Sequence, residues 1–223
     1  ARWDAVWYRS VAVDGYSYDP ASPENNIGFY PLYPLALRGI SRVLPVNILW
    51  IGIGFSLACL LAALLLAGNL FAEWGGESGG EPGAIRGAAA LLLYPTSFYF
   101  ASVYTESLFL LLTVAAFWGS RRGRWAVAGG AGFLASLTRL NGFLVAIPMA
   151  WYAWRSWRER RLAPWIAVAA TLAGAAVFPA YLAARFGDPL LYLHSKAVGW
   201  GMRSGSLWTL FTLTWSYSAG ERA

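Results

Sequence analysis

Residues 46–72 read VNILWIGIGFSLACLLAALLLAGNLFA. The stretch holds no Asp, Glu, Lys or Arg. It is longer than the roughly 20 apolar residues a helix needs to cross a hydrocarbon core. Pro45 stands just ahead of it, where a missing N–H costs a helix nothing. Residues 164–185 form a second such run, with Pro179 as a point of kinking. Around these runs the composition agrees. Hydrophobic residues make up 58% of the 223-residue chain and charged ones 13%. A soluble domain carries about a quarter charged residues. Mean hydropathy is +0.47. The 13 tryptophans suit rings at headgroup level. The fold class expected is all-α, a polytopic transmembrane helical bundle.

The net charge of +6 is not a nucleic-acid signature, because the arginines sit in short loops between apolar runs. Cys59, the single cysteine, lies in an apolar run and forms no disulfide within the chain. The chain reads as a fragment. A membrane helix is expected before Ala1, and residues 207–217 begin a new apolar run. No internal repeat stands out, and the Gly-rich residues 75–83 read as a loop.

Two further apolar stretches read as hairpins. Residues 85–102 and 105–120 are separated by Val103 and Tyr104. Residues 125–137 and 142–154 are separated by 138–141. Charge arbitrates. Arg121, Arg122 and Arg124 form one cluster, and Arg155, Arg158, Arg160 and Arg161 another. The positive-inside rule places both in the cytoplasm. Residues 125–154 must then go out and return, with Arg139 and Asn141 at the outer tip. One long helix with Arg139 at bilayer depth is the alternative, at a cost of about 3 kcal/mol or more. Residues 30–44 carry Pro31, Pro34, Arg38 and Arg42, which favours an interfacial helix over a span. Counted this way, Asp4, Asp14, Asp19, Glu24, Glu106, Arg139, His194 and Lys196 converge on one outer face. Residues 1–45 form an outer loop with an interfacial helix, and 46–223 the membrane helices, within one module of 1–223.

Each candidate carries two readings. Asp14-Gly15 and Asp19-Pro20 are turn chemistry, yet such acids also hold sugar hydroxyls. Glu106 follows Thr105 at a helix start, as an N-cap pair or as an acid lining the outer cavity. Arg139 meets lipid headgroups, or it stabilises a leaving phosphate in bidentate fashion. Lys196 and His194 of the last outer loop are further substrate-binding candidates. Tyr30 and Tyr33, each directly ahead of a proline (Pro31 and Pro34), form a shape element that meets headgroups or stacks on sugar. Trp151, Trp154 and Trp157 read as an interfacial belt. Gly129, Gly130, Gly132 and Gly174 read as contacts for close helix packing. The acids show no metal-ligand spacing, and no cofactor is expected. No phosphate-binding loop, dinucleotide fingerprint, zinc pattern or serine elbow is present.

The motifs RWDAVWY, DGY, FYPLYPL, YTESLF, TRLNG and FGDPL, in this order, resemble the PIG-V (GPI mannosyltransferase II)-like family. That family is of the GT-C class of membrane glycosyltransferases. The resemblance runs from about Arg2 to Leu191. It implies a GT-C-like bundle, with a sugar moved from a polyprenyl-phosphate carrier to an acceptor hydroxyl, with inversion, on the non-cytoplasmic face. The sugar implied is mannose or another hexose, and the acceptor is lipid- or glycan-linked. The family's key outer-loop acid matches Asp4, which becomes the catalytic candidate. A carboxylate there takes the acceptor proton, and Trp3, Trp7 and Tyr8 would raise its pKa. As an alternative, Asp4 caps a helix. The partners expected are the lipid-linked donor, the acceptor and membrane lipids, with no nucleic acid. Heavy Arg, Ala and Gly usage suggests a bacterial plasma membrane. The rival reading is a transporter or lipid flippase, which calls for charged or broken helices at mid-membrane.

Overall fold

The computed structural model describes residues 4–22, 25–74, 80–156 and 162–199. Among them the regular structure is helical and no strand occurs. Two short helices, α1 (Asp4–Val13) and α2 (Leu32–Ser41), lie over one end of a bundle. The bundle comprises α3 (Ile48–Trp74), α4 (Gly80–Leu92), α5 (Glu106–Arg121), α6 (Trp125–Thr138), α7 (Ala146–Arg155) and α8 (Ala163–Phe186). Helix α9 (Leu191–Gly199) returns to the same end as α1. Short 3₁₀ turns occur at Asn26–Gly28, Ser97–Ala101 and Leu140–Val145.

Among the described residues, α3 and α8 are the two helices long and apolar enough to cross a membrane. They replace the sequence boundaries 46–72 and 164–185 with only small shifts. Leu57, Leu61 and Leu65 recur every four residues on α3 and are all exposed, as are Ile166, Leu172 and Val177 on α8. Helical faces of this kind suit a hydrocarbon environment. Pro179 sits inside α8, which continues through it.

Small residues set the packing of α6 on α8. A Cβ on Gly129 would press on Ala167, one on Gly132 would collide with the Thr171 hydroxyl, and one on Gly174 would meet the Phe133 backbone. Gly130, expected to join them, faces open space. Polar groups complete the seam. The Ser136 hydroxyl donates to Thr171 O at 2.8 Å, and the Thr171 hydroxyl to Ala167 O at 3.0 Å. The first of these bonds crosses from α6 to α8 and the second stays within α8. The interhelical bond substitutes for the hydrophobic drive that lipid does not supply.

The 125–154 hairpin is present. The Thr171 hydroxyl lies beside Gly132 on α6 and 3.4 Å from Met149 Sδ on α7, so residues 132 and 149 share one level. Arg155, the described member of the second basic cluster, shares an end with Arg121 and Arg122. Arg121 is bonded to Tyr152, one turn before Arg155. Arg121 Nε donates to Glu73 Oε2 at 3.0 Å, and Arg122 joins the same carboxylate. Trp157, Arg158, Arg160 and Arg161 lie outside the described residues, as do Trp3, Glu24 and residues 207–217.

One expected arm differs. Residues 85–102 do not form a single helix: α4 starts at Gly80 and ends at Leu92, and a 3₁₀ turn follows at Ser97–Ala101. Pro95 explains the break, since it pushes Tyr94 out of the α region and removes a donor. Residues 80–83 of the loop expected over 75–83 are helical instead, for the same kind of reason, and 75–79 lie outside the described residues. Glu81 and Pro82 occupy the first turn of α4, where an acid and a proline are both favoured.

Candidate active site

The end of the bundle opposite the arginines carries a cavity of about 320 Å³. Asp4 and Tyr8 of α1 line it, with Gly28, Phe29 and Tyr30. Thr138, Arg139, Leu140 and Asn141 line it from the α6 turn, and Tyr192 and Lys196 from α9.

Each wall has a local cause. In DGY, Gly15 adopts φ +88° and ends α1, while the Tyr16 hydroxyl donates to Phe29 O at 2.7 Å. Asn26 is buried, and its amide ties three segments together. It donates to Gly15 O at 2.9 Å and to Ser10 Oγ at 3.1 Å, and it accepts from Ser17 N at 2.9 Å. This holds the 3₁₀ turn before Phe29 and Tyr30 against α1. Tyr30 then packs on buried Phe178, with centroids 5.0 Å apart, and edge-on to Tyr192 at the same spacing.

In TRLNG, the Thr138 hydroxyl closes on Leu134 O at 2.8 Å as α6 ends. Arg139 is extended (φ −153°, ψ 153°), which turns the chain back. Gly142 then presses against the Ala135 carbonyl, where any Cβ would collide. The turn therefore requires glycine, and it aims Arg139 into the cavity. Arg139 Nη2 donates to Glu106 Oε1 at 2.8 Å, and its guanidinium lies 5.8 Å from the Phe109 ring centroid. Glu106 thus clamps Arg139 from behind the cavity wall. Its other oxygen, Oε2, is buried and meets no partner. Thr105 holds the N-cap position of α5 without a side-chain cap bond.

Burial raises the Asp4 carboxyl above its ordinary value, against the opposing pull of Lys196 and then Arg139. Burial also pulls the Lys196 ammonium down, and Asp4 resists. The Lys196 Nζ lies 4.5 Å from the Phe29 ring centroid. The cavity thus offers a carboxylate with enhanced basicity facing two cations.

The structure brings Asp4, Arg139, Tyr30 and Lys196 together and keeps Glu106 one contact behind. It places four other candidates elsewhere. Asp14 is exposed at the end of α1. Tyr33 is fully buried and its hydroxyl engages Gly52 O at 3.2 Å and Ser56 Oγ at 2.9 Å, so it latches α2 to α3. His194 Nδ1 pairs with Asp188 Oδ2 at 2.7 Å on the outer face of α9. Asp19 accepts from Ala21 N at 2.9 Å in a turn. Among the described residues no three His, Cys, Asp or Glu side chains gather as a metal site would need. Sequence reasoning did not single out Tyr192, Asn141 or Asn26 as functional. Tyr192 and Lys196, four apart and hence on one helical face, carried the one signal that was legible.

Comparison with known proteins places the chain in a family. The family model described as mannosyltransferase (PIG-V) matches residues 1–154, short of the FGDPL motif at 186–190. A GPI alpha-1,6-mannosyltransferase 2 of Rattus norvegicus is 33% identical over 154 residues, 65% of this chain and 30% of that protein. That of Mus musculus is 30% identical over 65% of this chain and 29% of its own length. A GPI mannosyltransferase 2 of Drosophila melanogaster is 28% identical over 48% of this chain and 24% of its own length. The chain therefore spans less than a third of the length of the curated relatives it matches. No solved structure matches. With the family model covering most of the chain, the chain belongs to the mannosyltransferase (PIG-V) family.

Proposed function

We propose that the chain forms the catalytic end of a membrane mannosyltransferase. It moves mannose from a polyprenyl-phosphate carrier to a lipid- or glycan-linked hydroxyl, with inversion, on the non-cytoplasmic face. One observation carries the reading: Asp4 and the Glu106-clamped Arg139 face a single cavity. The arginines at the far end of the bundle support the side, since positive charge is retained in the cytoplasm.

The chemistry follows from the two groups. The acceptor oxygen attacks the anomeric carbon from the face opposite the phosphate, and the bond from that carbon to the phosphate oxygen breaks. The bonding pair leaves on the phosphate, whose growing charge Arg139 stabilises. Asp4 takes the proton of the attacking hydroxyl, and its raised basicity suits that step. The sugar passes through an oxocarbenium-like transition state.

Asp4→Asn tests the reading in the full-length enzyme. The amide keeps the size and cannot accept the proton, so turnover falls about 10²–10⁴-fold. Donor binding survives, because the phosphate is held by Arg139. Asn caps a helix about as well as Asp. Turnover close to that of the unaltered enzyme would return Asp4 to a capping role and remove the base from the mechanism.

A further inference from the structure

Helix α9 lies beyond the part of the chain that the family model covers, yet it closes one wall of the cavity. It sends in Tyr192 and Lys196, one turn apart on one face. The rotation of the helix is fixed. Leu191 and Ser195 are both 4% exposed on the packed side, while His194 points away. Asp188 secures the first turn, accepting from Leu190 N at 2.8 Å and meeting His194 at 2.7 Å. Tyr192 is held edge-on to Tyr30, and Lys196 sits over the Phe29 ring.

Charge balance gives α9 a task. Arg139 already shares its charge with Glu106, and Asp4 adds a second negative group. Without Lys196 the cavity would repel a phosphate. With Lys196 its formal charges cancel, and an incoming anion meets two cations. Tyr192 lines the same cavity as Arg139.

We propose that Tyr192 and Lys196 complete, with Arg139, a three-donor cradle for the phosphate of a lipid-linked sugar, and that α9 is the part of the site that reads the leaving group. This rests on the transferase reading above. As the bond from the anomeric carbon to the phosphate oxygen breaks, the oxygen that keeps the electron pair gains charge. The Tyr192 O–H, the Lys196 ammonium and the Arg139 guanidinium donate to the phosphate oxygens.

Farnesyl phosphate and farnesol, titrated into the full-length protein in detergent, separate phosphate recognition from chain recognition. Lys196→Gln should weaken farnesyl phosphate binding about 10- to 100-fold, the range of one hydrogen bond to a charged group, and leave farnesol unchanged. Tyr192→Phe should weaken it about threefold to tenfold. Lys196→Arg should retain most of the affinity, which also shows that the altered helix still packs. Unchanged farnesyl phosphate affinity in both Lys196→Gln and Tyr192→Phe would overturn the cradle. Mannosyl transfer, assayed separately, tells the two readings apart. Phosphate-selective binding that Lys196→Gln abolishes, in a protein with no transfer, would sustain the cradle and sink the transferase. Intact transfer with binding indifferent to both variants would do the reverse.

Discussion

Asp4 and Lys196 are costly residues for this fold. Asp4 has a folded pKa above its unfolded value, so the native state holds its proton more tightly. The stability it contributes is full below the unfolded value and is lost as pH rises through the folded one, so at neutral pH ionised Asp4 is a net cost. Lys196 is the mirror case: its folded pKa is depressed, and the cost grows as pH falls. Asp4→Asn should therefore melt at the same temperature as the unaltered protein or higher in detergent, while turnover collapses. A clear drop in melting temperature would mark Asp4 as structural. The pH–rate profile follows from the same directions. The acid limb should report Asp4 and lie above the ordinary aspartate value, and the alkaline limb should report Lys196 and lie below that of an ordinary lysine. In Lys196→Arg the alkaline limb should disappear from the measurable range, because arginine stays charged.

Glu106 belongs to the same scale. It touches Arg139 and does not line the cavity, so under the proposed function it would act as a positioning residue. Glu106→Ala should lower turnover about 10- to 100-fold through misplacement of the guanidinium. Steady-state kinetics that match the unaltered enzyme would show that Phe109 and the turn alone hold Arg139. The sequence made Asp4, Glu106 and Arg139 legible because charge in an apolar chain stands out. Tyr33 and Tyr30 look alike in FYPLYPL, yet Pro31 starts a helix between them. One ring stays at the cavity and the other turns into the core. Asn26 was illegible because its partners at 10, 15 and 17 are distant along the chain, and no local spacing encodes them.

Among the elements, α3 and α8 could be read directly, since only length and apolarity define them. The hairpin at 138–142 was legible from charge, by requiring the arginine clusters to share a side. The start and end of α4 were not, because Pro95 and Pro82 act on the backbone within an otherwise apolar run. Packing glycines were only partly legible: Gly129, Gly132 and Gly174 face a neighbour and Gly130 does not, a difference that depends on helix rotation. The turn after α6 depends most on its glycine. Gly142→Ala should push the turn off Ala135 and cost about 1–3 kcal/mol as overpacking. Because Arg139 lies three residues earlier, donor affinity should fall along with the melting temperature. A variant with normal donor affinity and normal melting would show that the turn relaxes freely.

For the whole molecule, helix lengths have a mechanical consequence. Helix α3 has 27 residues and α8 has 24, ample for a bilayer. Helices α5 and α6 have 16 and 14, or about 24 and 21 Å at helical rise, against a hydrocarbon core of about 30 Å. Arginines pin their common end at one surface, so the shortfall of about 6–9 Å falls at the cavity. There the membrane must thin, or the cavity must sink beneath the headgroup plane. For the donor proposed above, a phosphate tethered to a long isoprenoid would then reach the site without being lifted out of the leaflet. Acyl length becomes a variable of the reaction rate. In phosphatidylcholine vesicles of graded chain length, transfer should be fastest in thinner bilayers and slow as the chains lengthen, since each added ångström of mismatch costs elastic energy. A rate indifferent to thickness would mean that the short helices are matched by protein rather than by lipid.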